Sequence, residues 1–166
     1  YQRDWSSDVC SSDLTNNWAS HPDLRSEING YNLACHFINK KRVFKLLNHN
    51  NYDLVISLRI DVAFVDKFNF NHKIEENTLY IPIQINNQGI ECRLFFGNFE
   101  AINDTIAYGD IQSMEKYMNI FDNCQEFIDK KISTPHPECL TTANIVKHNL
   151  NVIRFHLRHD FNKNAK

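Results

Sequence analysis

Three short stretches of this chain carry side chains that could do chemistry together. The first is Arg59-Ile60-Asp61, directly after the apolar run at residues 53–58, DLVISL. A carboxylate at a strand end can hold a hard divalent cation that bridges phosphates, and a neighbouring guanidinium can fork onto phosphate or carboxylate. A structural Arg59–Asp61 pair that closes the strand end explains the same residues. The second stretch is DTIAYGD, residues 104–110. Asp104 stands before a short strand where neither a cap nor a turn calls for an acid. Asp110 precedes a helix and reads as its N-cap, a role worth about 1 kcal/mol. The third is His136-Pro137-Glu138. Pro137 suits the first helical position and Glu138 the first turn. His136 is then a pocket ligand, a proton-transfer group or a plain cap residue.

The elements that must position these residues follow from periodicity. Leu24, Ile28, Tyr31, Ala34, Cys35 and Ile38 recur at three- and four-residue steps, which predicts a helix over 24–39. A second short helix is expected over 41–47. The run DLVISL reads as a strand buried on both faces. Residues 78–83 and 105–108 read as further short strands, the second ending at Gly109. Residues 84–103 carry little pattern beyond a turn at Asn86-Asn87-Gln88-Gly89. Helices are expected over 111–121, 124–132 and 138–148, and a last strand over 152–156. Alternating strands and helices predict one α/β domain with a mixed or mainly parallel sheet flanked by helices. In such sheets ligands bind outside the carboxyl ends of the strands, which is where Arg59 and Asp61 fall.

Composition narrows the function classes. The chain has 166 residues, 42% hydrophobic and 12% aromatic, which excludes disorder. No apolar run approaches the roughly 18 residues of a membrane-spanning helix. The net charge of -2 gives no electrostatic footprint for nucleic acid. P-loop, G-x-G-x-x-G, G-x-S-x-G and H-E-x-x-H patterns are absent from the sequence, which argues against P-loop NTPases, dinucleotide dehydrogenases, α/β-hydrolases and zincins. Cys35, Cys92, Cys124 and Cys139 form no C-x-x-C pair and read as reduced, partly buried residues of a cytoplasmic protein. Residues 4–14, DWSSDVCSSDL, resemble the in-frame translation of a short-read sequencing adapter, so residues 1–14 are expected to be a non-native segment without specific packing.

Taken in order, YDLVISLRIDVAF, LYIP, NDTIAYGD with Met114 and Tyr117 behind it, and HPE before a helix resemble a group of glycosyltransferase-like proteins associated with surface-polysaccharide genes. The resemblance covers residues 25–155. It implies a partial GT-A-like, Rossmann-like mixed sheet, with residues 15–166 the C-terminal part of a larger transferase domain. It implies a nucleotide sugar and a glycan acceptor as partners, and Mn²⁺ or Mg²⁺ on Asp61 against the donor diphosphate. Arg59, His136 and Glu138 would bind substrate, and Asp104 would deprotonate the acceptor hydroxyl if the reaction inverts. Ser57 stands where the group has its first Arg, and Asn103-Asp104 where it has an acidic pair. Those two departures favour the alternative, a carbohydrate-binding or scaffold protein that keeps the fold without turnover.

Overall fold

The computed structural model describes residues 30–47, 52–59, 62–64, 66–67, 73–83, 91–94, 97–100, 102, 104–157 and 159–161. The segment 1–14, Asp61 and Asn103 lie outside the described residues. The elements in chain order are α1 (Gly30–Lys45), β1 (Val55–Leu58), β2 (Val62–Phe64), β3 (Thr78–Pro82), β4 (Glu91–Leu94) and β5 (Gly97–Glu100). They continue with β6 (Ile106–Gly109), α2 (Ile111–Met118), α3 (Phe121–Asp129), α4 (Pro137–Lys147), β7 (Asn151–Phe155) and β8 (His159–Phe161). The fold is mixed α/β.

Four strands form the main sheet in the order β1-β6-β3-β7. β6 is antiparallel to both of its neighbours, whereas β3 and β7 are parallel. The run DLVISL is therefore not a central strand. β1 sits at the sheet edge among the described strands and alternates, with Ile56 39% and Leu58 51% exposed. A strand's side chains are buried on both faces only where a further layer covers each face, so apolar composition alone did not report double burial. The strands covered throughout are β3 and β6, all of whose residues are buried. At the β6 crossing the backbones press together. A Cβ on Gly109 would stand 2.6 Å from the Thr78 carbonyl oxygen, so only glycine fits there.

Against this sheet lie the helices. α1 is one helix rather than the two expected. Residues 24–29 of the expected helix lie outside the described residues. The polar step Lys40-Lys41 stays helical because each ammonium has a partner: Lys41 pairs with Asp122, and Lys40 reaches Tyr117. Arg42 and Lys45 complement the dipole of its last turn. α2 begins at Asp110, whose carboxylate accepts from the backbone N–H of Gln112 at 2.8 Å and of Ser113 at 3.0 Å. Asp110 is an N-cap, as its position suggested.

α3 and α4 end alike. Beyond α3, the N–H of Lys131 donates to Ile128 O and that of Ile132 to Phe127 O. Beyond α4, the N–H of Asn149 donates to Val146 O and that of Leu150 to Ile145 O. Lys131 (φ 52°) and Asn149 (φ 50°) hold the left-handed position of these Schellman turns. The turn after α3 stops that helix short of the expected residue 132, because Ile132 folds back onto the core instead of extending it, while α4 ends within one residue of its expected end.

Two cores result. Phe37, Phe127, Leu140 and Ala143 pack α1, α3 and α4 together. Leu79, Ile81, Met114 and Tyr117 pack α2 onto the sheet. Two further ladders, β4–β5 and β2–β8, lie in stretches read as unpatterned or unassigned. Strands of three or four residues pair through their backbones and leave too short a side-chain pattern to read. Cys35 and Cys139 are each disulfide-bonded, which corrects the reading of reduced thiols on which the cytoplasmic expectation leaned. Cys124 is a free thiol whose pKa burial pushes up.

Candidate functional site

Strand direction decides what meets at the rim. Because β6 opposes both β1 and β3, and β7 follows β3, the carboxyl ends of β1, β3 and β7 share one rim with the start of β6. The last ladder pair between β1 and β6 is Leu58 with Ile106. One step further the Arg59 N–H donates to the Thr105 carbonyl at 2.9 Å. Asp104 is the next residue along, and its Oδ1 lies 3.9 Å from Arg59 Nη1. Two residues distant in sequence thus stand side by side because the ladder register puts them there.

The helix layer completes the cluster. His36 on α1 points its Nε2 at Asp104 Oδ2 across 3.4 Å. Lys40, one turn later on the same helix, has its Nζ 3.4 Å from the Tyr117 hydroxyl and 4.9 Å from the centre of the Tyr117 ring. The Tyr117 side chain is buried beneath it.

The electrostatics of the cluster are uneven. The Asp104 side chain is only 10% exposed. Burial by itself pushes its pKa up. The His36 hydrogen bond and the charges of Lys40, His36 and Arg59 outweigh that and hold it at about 2. Asp104 is therefore ionised at any ordinary pH. Lys40 is displaced downward from the ordinary lysine range, first by burial and then by Arg59, with Asp104 opposing. Burial, and then the Asp104 charge, raise the Tyr117 hydroxyl.

All four polar groups, His36, Lys40, Arg59 and Asp104, line a cleft of about 1160 Å³ between α1 and β1. This exceeds the roughly 300–1,000 Å³ of ordinary small-molecule sites. Further along the same helix and strand its lining is apolar, made by Val43, Phe44, Leu47 and Val55. Ser57 opens onto it from the edge strand.

The residues singled out from the sequence are distributed as follows. Arg59 and Asp104 meet in the cleft. Pro137 reaches its margin, but His136 and Glu138 on either side of it are not among the lining residues. His136 occupies the N-cap position of α4 with extended backbone and no side-chain cap bond. Glu138 is buried, and its carbonyl accepts from the Thr142 hydroxyl at 2.7 Å. The same hydroxyl oxygen accepts the Ile102 N–H at 3.1 Å, which moors the chain entering Asp104 to the first turns of α4. Sequence reading missed His36 and Lys40. Their signal was a polar pair at i,i+4 on a helix otherwise apolar at Leu33, Phe37 and Phe44, which is also how any solvated helix flank looks.

A divalent cation finds a poor fit among these groups. Asp104 already faces the His36 ring and the Arg59 guanidinium, and the guanidinium charge would repel a second positive ion there. Among the described residues no three His, Cys, Asp or Glu side chains gather as a metal set. The expected ligand Asp61 lies outside the described residues. Among the described residues no helix is long and apolar enough to cross a membrane. Compared with known proteins, the chain matches no protein-family model and no curated protein sequence.

Proposed function

We propose that this chain is part of a sugar transferase, taking a sugar from a nucleotide-sugar donor to a hydroxyl of a glycan or other acceptor. The observation that carries the reading is the meeting of Arg59 and Asp104 in one large cleft between α1 and β1, at the carboxyl end of β1. That cleft offers charge at one end and apolar walls at the other. A nucleotide sugar has the same division, with an anionic diphosphate and rings with apolar faces. Arg59 supplies a guanidinium for the diphosphate. Asp104 orients the groups around it: it holds His36 and Arg59 by ion-pair contacts, at 3.4 Å and 3.9 Å. His36, carried on that carboxylate and open to the cleft, is the neighbouring group able to take a proton from an acceptor hydroxyl. His136 and Glu138 stand further back, behind Pro137, on the acceptor side. No step of this reading is routed through a metal ion.

The low pKa of Asp104 favours a second reading. A carboxylate held at about 2 is a weak base, so binding of a sugar nucleotide without turnover fits the same cleft. One assay separates the two. The protein is incubated with a panel of nucleotide sugars, and bound ligand and released nucleotide diphosphate are measured together. The transferase reading expects release that is lost in Arg59→Gln and Asp104→Asn. Binding without release in any acceptor mixture supports the binding protein, and absence of binding to every donor removes both.

A further inference from the structure

We infer that the outer edge of β1 docks an extended peptide from a partner protein. The peptide adds as a further strand beside β1, with apolar side chains in the α1–β1 cleft and an acidic one near Lys40. The inference goes beyond the sugar-transfer reading and does not rest on it.

The backbone marks the edge. The Arg59 N–H donates to the Thr105 carbonyl at 2.9 Å, which makes Arg59–Thr105 a hydrogen-bonded pair of the β1–β6 register. Such pairs alternate in an antiparallel ladder, so Ser57–Ala107 and Val55–Gly109 are the others. Ile56 and Leu58 therefore turn their N–H and C=O groups away from β6. Among the described strands none pairs with β1 on that side. Residues 55–59 all line the cleft, although side chains along a strand alternate between its faces. The cleft thus runs along the edge of β1 rather than over one face, and the backbone groups of Ile56 and Leu58 open onto it.

Side chains select the occupant. Lys40, Val43, Phe44 and Leu47 recur at three- and four-residue steps and form the helical side of the cleft. Phe44, Leu47 and Val55 belong to one core with Leu79 and Ala107, so this apolar stretch lies on the helix-covered face of the sheet. Val43 is 58% and Leu46 84% exposed, and Ile56 and Leu58 are exposed on the strand itself. An apolar strand edge left open invites a pairing strand. α1 also bears Lys40, Lys41, Arg42 and Lys45 and no Asp or Glu. A second copy docked edge to edge would bring another basic helix up to this one, whereas an acidic peptide is drawn to it.

The test is an NMR titration of the isotope-labelled whole chain with acetyl-Glu-Val-Thr-Val-Thr-Val-amide. Saturable shifts are expected at the Ile56 and Leu58 amides. In a paired strand the residues bonded to Ile56 and Leu58 share the face of those side chains, so the Val side chains that enter the cleft belong to the unbonded residues. N-methylation of both Thr amides should therefore weaken binding about tenfold or more, whereas N-methylation of the Val amides should leave it within about twofold. Lys in place of the peptide Glu should weaken it several-fold, and more so at low salt. Val43→Asp, at an exposed position, should weaken it without lowering Tm. Equal losses from the two methylated peptides, shifts that spare Ile56 and Leu58, or no saturation at about 1 mM peptide overturn the inference. Dimerisation of the free chain through the same amides overturns it in favour of a second copy. Nucleotide-sugar release does not enter the test, so either reading can fail without the other.

Discussion

The Arg59 N–H donates to the Thr105 carbonyl at 2.9 Å, one step past the last register pair of β1 and β6. That bond sets the spacing of the candidate site. Arg59 follows its strand and Asp104 precedes its own, and antiparallel pairing turns those opposite positions into neighbours. A slip of one residue in the ladder would turn Ile56 and Leu58 inward and move Arg59 off Asp104 at the same time.

Acid should weaken this protein through Asp104. Its folded pKa of about 2 lies below the roughly 3.9 of an unfolded aspartate, so the linked stability is fully present above about pH 4. It is lost as the pH falls toward about 2, and amounts to about 2 kcal/mol. Urea denaturation at a series of pH values in this window measures the loss. Asp104→Asn should lower stability at pH 7 by about 2 kcal/mol, since it removes that linked stability. Its acid profile should be flatter than wild type, and parallel profiles would show that the carboxylate is not held as described.

Lys131→Gly should stabilise the fold. Lys131 is exposed and sits at φ 52°, a conformation that costs a side chain about 1 kcal/mol and glycine little. A gain of about 0.5–1 kcal/mol is expected, read as a rise in Tm of about 2–4 °C. No change, or a fall, would mean that the Schellman turn after α3 does not form in solution.

Gly109→Ala should do the opposite. The added methyl would press on the Thr78 carbonyl at 2.6 Å, and backbone cannot swing aside as a long side chain can. A loss of about 1–3 kcal/mol in equilibrium unfolding follows. A neutral alanine would place β6 further from β3 than the ladder requires.

Truncations in the sheet should separate its edge from its centre. Leu58→Ala on the 51%-exposed edge position should cost under about 1 kcal/mol, whereas Ile81→Ala, fully buried in β3, should cost about 3 kcal/mol. Equal losses would put β1 inside the sheet after all.

What the sequence disclosed depended on how far side chains alone report structure. The starts of α2 and α4 were readable because Asp110 and Pro137 act locally, through a cap bond and a fixed φ. The end of α4 was read to within one residue, whereas that of α3 was not, since a left-handed lysine has no composition signal as glycine has. DLVISL named a strand correctly but not its place, because burial depends on which layers cover its two faces. Arg59 and Asp104 stood out as charged residues at strand ends. His36 and Lys40 matter only through α1 lying across the rim, and no local pattern encodes that tertiary fact.

The parallel ladder of β3 with β7 aligns Thr78 with Asn151 and Pro82 with Phe155. Pairing partners roughly seventy residues apart belong to the slow class of folding contacts, since a long loop must close before any bond rewards it. During synthesis at about 5–20 residues per second, β3 would leave the ribosome roughly 4–14 s ahead of its partner. For that interval Leu79 and Ile81, fully buried in the finished sheet, belong to a strand with an open edge. The helices need no such delay to form, because their own hydrogen bonds are local. Nascent chains should therefore be most prone to wrong pairing and most in need of chaperone cover after β3 has emerged and before Phe155 has.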